Sequence, residues 1–167
     1  MKPEPRSGMG QTPRVAEELR QNRPFRSPAQ EAIVGVMLTG DRILGLLGAE
    51  LGREADITPQ QYNVLRILRG AGSEGLPTLA ITERMIERTP GITRLLDRLE
   101  RKGWIERQRL EEDRRQVICR ATKAGLKLLS RLDRIVDAVD DRPKRALSSR
   151  ELEQLVELLD RLRSTLN

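Results

Sequence analysis

Arg84, Arg88, Arg94, Arg98, Arg101, Lys102, Arg107, Arg109, Arg114, Arg115 and Arg120 crowd one stretch of this chain. A guanidinium is a planar fork of donors that fits a phosphate or the O6/N7 edge of guanine. That is the chemistry of recognition, not of bond breaking. The 167 residues contain no histidine and a single cysteine. No phosphate-cradling glycine loop is visible, and no nucleophile stands beside a base in a recognisable motif. The acidic residues are scattered among the arginines as helix-surface pairs, without the spacing of metal ligands, so no metal, cofactor or enzymatic activity is expected. A net charge of +6 and a pI near 10.2 suit a polyanionic partner. The aromatic residues are only Phe25, Tyr62 and Trp104, which argues against single strands stacked on aromatic platforms and favours a duplex.

The elements that must position these cations can be read from capping residues and periodicity. Thr89-Pro90-Gly91 supplies a cap and a first-turn proline for a helix over 89–102. On its wheel Ile92, Leu95, Leu96 and Leu99 form one apolar stripe. Pro90, Arg94, Asp97 and Arg101 lie opposite, with Thr93 and Arg98 on the shoulders, a short cationic face of the kind that enters a major groove. Gly103 stops the helix. The segment 104–110 then reads as a strand and 116–121 as its return, with Glu111-Glu112-Asp113-Arg114-Arg115 at the tip. Upstream, Leu76-Pro77 leads into a first helix over 78–85, with Leu79, Ala80 and Met85 as its expected inner face, and Ile86-Glu87-Arg88 is the turn. The order is that of a winged helix-turn-helix, in a mainly α fold with a small β-hairpin wing.

Outside that unit the same signals recur. Ser27-Pro28-Ala29-Gln30 opens a long helix through Ile33, Val36, Met37, Ile43, Leu44, Leu47 and Leu51, and Thr58-Pro59-Gln60-Gln61 opens another through Tyr62, Leu65 and Leu68. Thr122 caps a helix that must stop before Pro143. Ser148 with Glu151 starts a last one carrying Leu152, Leu155, Val156, Leu159, Leu162 and Leu166. Residues 1–26 read as a flexible tail, 27–57 and 123–167 as a helical dimerisation region, and 58–122 as the DNA-binding region. Long amphipathic helices flanking a small unit must bury their stripes, and a two-fold copy of the same chain is the simplest partner. An intramolecular bundle is the alternative. The N-terminus leads into no secretory h-region, and the apolar runs at 32–38 and 43–49 fall short of the roughly 20 residues of a membrane span. With one cysteine, no internal disulfide can form. The expectation is a cytoplasmic protein without a membrane partner.

The run from Thr89 to Arg107, followed by Asp113-Arg114-Arg115 and Ala121-Thr122-Lys123-Ala124-Gly125, resembles the MarR family of bacterial transcription regulators. The joint spacing of Leu99-Glu100-Arg101-Lys102-Gly103, the Asp-Arg-Arg wing tip and the Thr-x-x-Gly helix start is its most specific part, and the similarity runs over about residues 28–166. The resemblance implies a homodimeric repressor or activator that binds pseudo-palindromic promoter DNA. It also implies a small, often phenolic or aromatic, effector near the junction of the dimerisation and DNA-binding regions.

Carried onto this chain, the resemblance assigns Thr89, Pro90, Gly91, Thr93, Arg94 and Arg98 to the groove-facing helix. Arg94 would read a base edge and Thr93 a phosphate or thymine methyl. Arg114 and Arg115 would enter a narrow minor groove, Arg115 at the family's wing position. Asp113 would hold an arginine or the turn, which plain turn chemistry explains equally well, and Asp97 would clamp a wing arginine. Tyr62 falls where the family's ligand pocket forms, though a core position competes. Cys119 reads as an inert strand residue and Trp104 as a packing anchor. A basic module binding RNA or a protein partner is the competing function.

Overall fold

The computed structural model describes residues 14–87, 91–109 and 116–166. Its contacts group the chain into two compact units, Met1–Gly45 and Leu46–Asn167.

In the first unit, a short helix α1 (Val15–Glu18) precedes the N-terminal part of α2 (Pro28–Ala55). The expected start signal of α2 is used. The Ser27 hydroxyl accepts the Gln30 N–H at 3.2 Å, and the Gln30 side chain reaches back to accept the Arg26 N–H at 2.8 Å. Arg42 pairs with Glu18 within this unit. Ile33, Val36, Met37, Ile43 and Leu44 stand open to solvent, Met37 at 68%. By length and composition α2 does reach the size of a membrane span, which corrects the expectation from contiguous apolar runs. Glycines and lone polar residues interrupt those runs without much lowering the average. The same length and apolarity serve a helix that packs on protein, as its C-terminal Leu51 does with no exposure at all.

The second unit contains the rest of α2, then α3 (Pro59–Ala71), α4 (Thr78–Arg84), α5 (Ile92–Arg101), α6 (Lys123–Asp140) and α7 (Ser149–Arg163). Three strands, β1 (Leu76–Pro77), β2 (Ile105–Arg109) and β3 (Val117–Ala121), form an antiparallel sheet in the order β1-β3-β2. The Thr58 box closes as its sequence requires. Thr58 Oγ1 accepts the Gln61 N–H at 3.2 Å and Gln61 Oε1 accepts the Thr58 N–H at 3.1 Å, so two donors of the first turn are satisfied reciprocally. The Ser148 and Glu151 pair does the same for α7. Leu65, Leu68, Leu99, Leu129 and Leu132 are fully buried, as are Ile81 and Cys119. Each such side chain contributes about 1.5–3 kcal/mol of transfer free energy, enough to make this core the main support of the unit. A two-pronged ion pair, Arg69 Nη1 and Nη2 to the Asp133 carboxylate at 2.8 and 3.2 Å, ties α3 to α6 at the surface.

Two expectations for the first helix of the motif change. Leu79 is 69% exposed and Ile81, one residue pair further on, is the fully buried member of α4, with Met85 half-buried beside the core. The seven-residue helix has about two turns, too few for its apolar pattern to fix its phase from sequence. The strand ahead of it was absent from the expected two-stranded hairpin: Leu76 and Pro77 pair with Cys119 and Ile118 of β3. Proline at an edge position loses no ladder bond the sheet needs.

Candidate nucleic-acid interface

Helix α5 seats itself by Leu96 and Leu99, 1% and 0% exposed, with Ile92 and Leu95 half-buried on the same side. Thr93, Arg94, Arg98 and Arg101 are thereby turned outward and exposed. The helix begins at Ile92, later than the start expected from Thr89. Gly91 is its N-cap, in the left-handed region at φ 96°, a conformation that cannot continue a right-handed helix. Thr89 and Pro90 lie outside the described residues, as do Asp113, Arg114 and Arg115 of the expected wing tip.

The far end of α5 is held more tightly. The Trp104 N–H donates to the Leu99 carbonyl at 3.0 Å and the Gly103 N–H to the Glu100 carbonyl at 2.8 Å, the paired bonds of a Schellman stop, with Gly103 at φ 69°. The next helix starts from the same place. Thr122 donates its hydroxyl to the Gly103 carbonyl at 2.7 Å and its N–H to the Trp104 carbonyl at 3.0 Å, while its Oγ1 accepts the Gly125 N–H at 3.1 Å. A Cβ on Gly125 would collide with the Trp104 carbonyl oxygen, so the Thr-x-x-Gly start is a requirement of close approach.

Cations that look alike in the sequence have separate fates. Lys102 Nζ donates to the Asp56 backbone carbonyl at 2.6 Å and to its Oδ2 at 3.0 Å, and lies 4.7 Å from the centre of the Trp104 ring. Arg120 donates to the Ser73 carbonyl at 2.8 Å and to Gln108 Oε1 at 3.0 Å. Arg107, on β2, reaches Asp97 Oδ1 and Glu100 Oε2, both at 2.6 Å from Nη2. The hydrogen bond to Glu100, with Asp97 adding, holds its pKa above the usual arginine value. Asp97 therefore engages an arginine of the first wing strand; sequence reasoning had given Arg107 no such part. Arg94 and Arg98 make no ion pair or side-chain hydrogen bond among the described residues. Their forks of donors stand on the outward face, unengaged among the described residues.

Two open clefts adjoin this region. One, of about 410 Å³, lies between the start of α3 and the C-terminal end of α5, lined by Asp56, Thr58, Gln61, Arg98, Arg101 and Lys102. The other, of about 600 Å³, has Ala55, Trp104 and Leu128 as apolar lining and Lys127, Arg131 and Arg134 as cations. Tyr62, the expected pocket residue, lines neither. It is 4% exposed in the core, with the Arg66 guanidinium 5.9 Å from its ring centre, and burial pushes its phenol pKa up. Cys119 is fully buried, and burial raises its thiol pKa as well. Trp104 packs against the core as the anchor expected of it.

Residues 57–117 match the model of the MarR family. The HTH-type transcriptional regulator FarR of Neisseria gonorrhoeae is 32% identical over 65% of this chain and 73% of its own length. The crystal structure of a MarR transcription factor from Planctomyces limnophilus is similar with a TM-score of 0.62 and 39% identity, covering 82% of this chain and 98% of that one. The S. aureus MepR–DNA complex gives a TM-score of 0.71 and 27% identity over 78% of this chain and 94% of the other. Family model, relatives and fold agree, and the chain belongs to the MarR family of transcriptional regulators and is not an enzyme.

Proposed function

We propose that the chain is a cytoplasmic, homodimeric regulator that binds pseudo-palindromic promoter DNA, with α5 in the major groove and the wing over 110–116 in the adjacent minor groove. The observation that carries this reading is the selective exposure of donors on α5. Lys102, Arg107 and Arg120 are satisfied within the protein, whereas Arg94 and Arg98, on the helix face turned away from the core, engage none of the described residues. Arg94 reads a base edge, Arg98 and Thr93 take phosphate or groove contacts, and Gly91 lets the backbone approach. Thr89 and Pro90, ahead of the helix in the chain, complete the groove-facing set. Arg114 and Arg115 supply the minor-groove cations and Asp113 holds the wing turn. The MepR neighbour, solved with DNA, supports the same use of the fold here.

The open apolar side chains of α2 and α7 support a two-fold partner, and two such heads would address half-sites about one helical turn, roughly 10 base pairs, apart. A small aromatic or phenolic effector fits the 600 Å³ cleft better than Tyr62, because that cleft is reachable from solvent and Tyr62 is closed off.

Selection of bound sequences from random duplexes tests the proposal. A pseudo-palindrome is expected, and Arg94→Ala should weaken binding to it by about 1–3 kcal/mol and relax one base preference. An unchanged operator affinity in that variant would overturn the groove assignment. Binding to single-stranded RNA with no duplex selected would favour the competing module instead.

A further inference from the structure

Helix α5 has two unlike flanks. On one side Arg94 and Arg98 engage none of the described residues; on the other, Asp97 and Glu100 follow Thr93 along the helix and would face a duplex as bare carboxylates. Asp97 lies one turn beyond Arg94, on the exposed arc, with a side chain 44% accessible, and Glu100 is 39% accessible. The local cation that could neutralise Asp97 does not. Arg101, four residues on, points its Nε at the Asp97 backbone carbonyl at 3.4 Å and leaves the carboxylate alone.

The neutralising charge comes from another element. Arg107 of β2 donates Nε and Nη2 to Glu100 Oε2 at 2.9 and 2.6 Å and Nη2 to Asp97 Oδ1 at 2.6 Å, so one guanidinium serves both acids. Partly exposed ion pairs of this kind contribute little to folding. Their effect on a polyanion is larger, because carboxylates within about a Debye length, ~8–10 Å, of backbone phosphates repel them directly.

We propose that Arg107 is an electrostatic mask: from the wing strand it neutralises the acidic flank of α5, so that the helix meets a duplex with its cations as the dominant charge. Resting on the DNA-binding reading above, Arg107 acts through Asp97 and Glu100 without touching DNA, which makes it a positioning residue for the interface.

The test measures affinity for the selected duplex between ~50 and 200 mM salt. Arg107→Ala should bind about tenfold more weakly at the lower salt. Adding Asp97→Asn and Glu100→Gln to that variant should restore affinity to within about threefold of the parent, with the parent's salt slope. Adding Asp41→Asn and Asp137→Asn instead, which removes the same formal charge elsewhere, should restore nothing. Arg107→Gln takes the place of Arg107→Ala if thermal unfolding shows that the alanine variant is not folded. If the acid-neutralised variant stays weak and its salt slope falls by about one, Arg107 contacts a phosphate and the mask is overturned. If Arg107→Ala binds as the parent does, the mask is overturned too. A parent protein that selects no duplex overturns the DNA reading itself, before any variant is compared.

Discussion

The apolar stripes of α5 and α7 are much alike in sequence and opposite in fate. In α5, Leu96 and Leu99 are sealed to 1% and 0% exposure by α3 and the strands that follow. In α7, Leu155 and Val156 of the stripe remain 42% and 59% exposed, and Leu166, just beyond its end, 69%. Amphipathicity thus marks a face that must be covered; it does not say by which chain. A stripe inside the winged unit finds its partner within the same fold, whereas that of α7 is left for a surface the fold itself does not supply, the two-fold partner proposed above.

The contrast can be broken at either end. Leu99→Ala should lower the unfolding free energy by about 3 kcal/mol, within the ~2–5 kcal/mol seen for such truncations, as measured by urea denaturation. A loss below about 1 kcal/mol would mean that the head is not the closed core its burial implies. Leu155→Lys with Val156→Lys should weaken self-association at least tenfold in sedimentation experiments and leave the thermal transition of the head within a few degrees. A dimer of undiminished affinity would place the interface elsewhere. The smallest effect concerns Tyr62, whose phenol pKa is raised by burial above the ordinary value of 10.0. The protonated form is favoured on folding, so its contribution to stability is intact below pH 10 and is lost as the pH rises through the folded value. Urea midpoints should fall between pH 9 and 11 in the parent and less so in Tyr62→Phe; equal slopes would show that Tyr62 is not closed in.

Much of this was legible because the signals are local. Thr58, Thr122 and Ser148 cap where their sequences say, and Gly103 ends α5, since each motif satisfies donors or acceptors within a few residues of itself. What escaped the sequence depends on distant chain. Ile81 is taken inside α4 in place of Leu79, and the strand ahead of that helix pairs with β3, about 40 positions away. The division of the arginines was equally hidden: Arg107 and Arg94 carry the same charge, and only the register of β2 against the helix brings one to two carboxylates and leaves the other without a partner among the described residues.

The joint at Gly103, Trp104 and Thr122 has a mechanical meaning. With the exit of α5 bonded to the entrance of α6, the two helices share a pivot, and α5 extends from it as a lever ten residues long, ~15 Å at 1.5 Å per residue. If α6 tilts by about 10° and α5 follows it, the free end carrying Thr93 and Arg94 swings by roughly 2–3 Å. That is close to the rise of one base pair, so a small angular change at the base of the lever is enough to move the reading tip out of register with its bases.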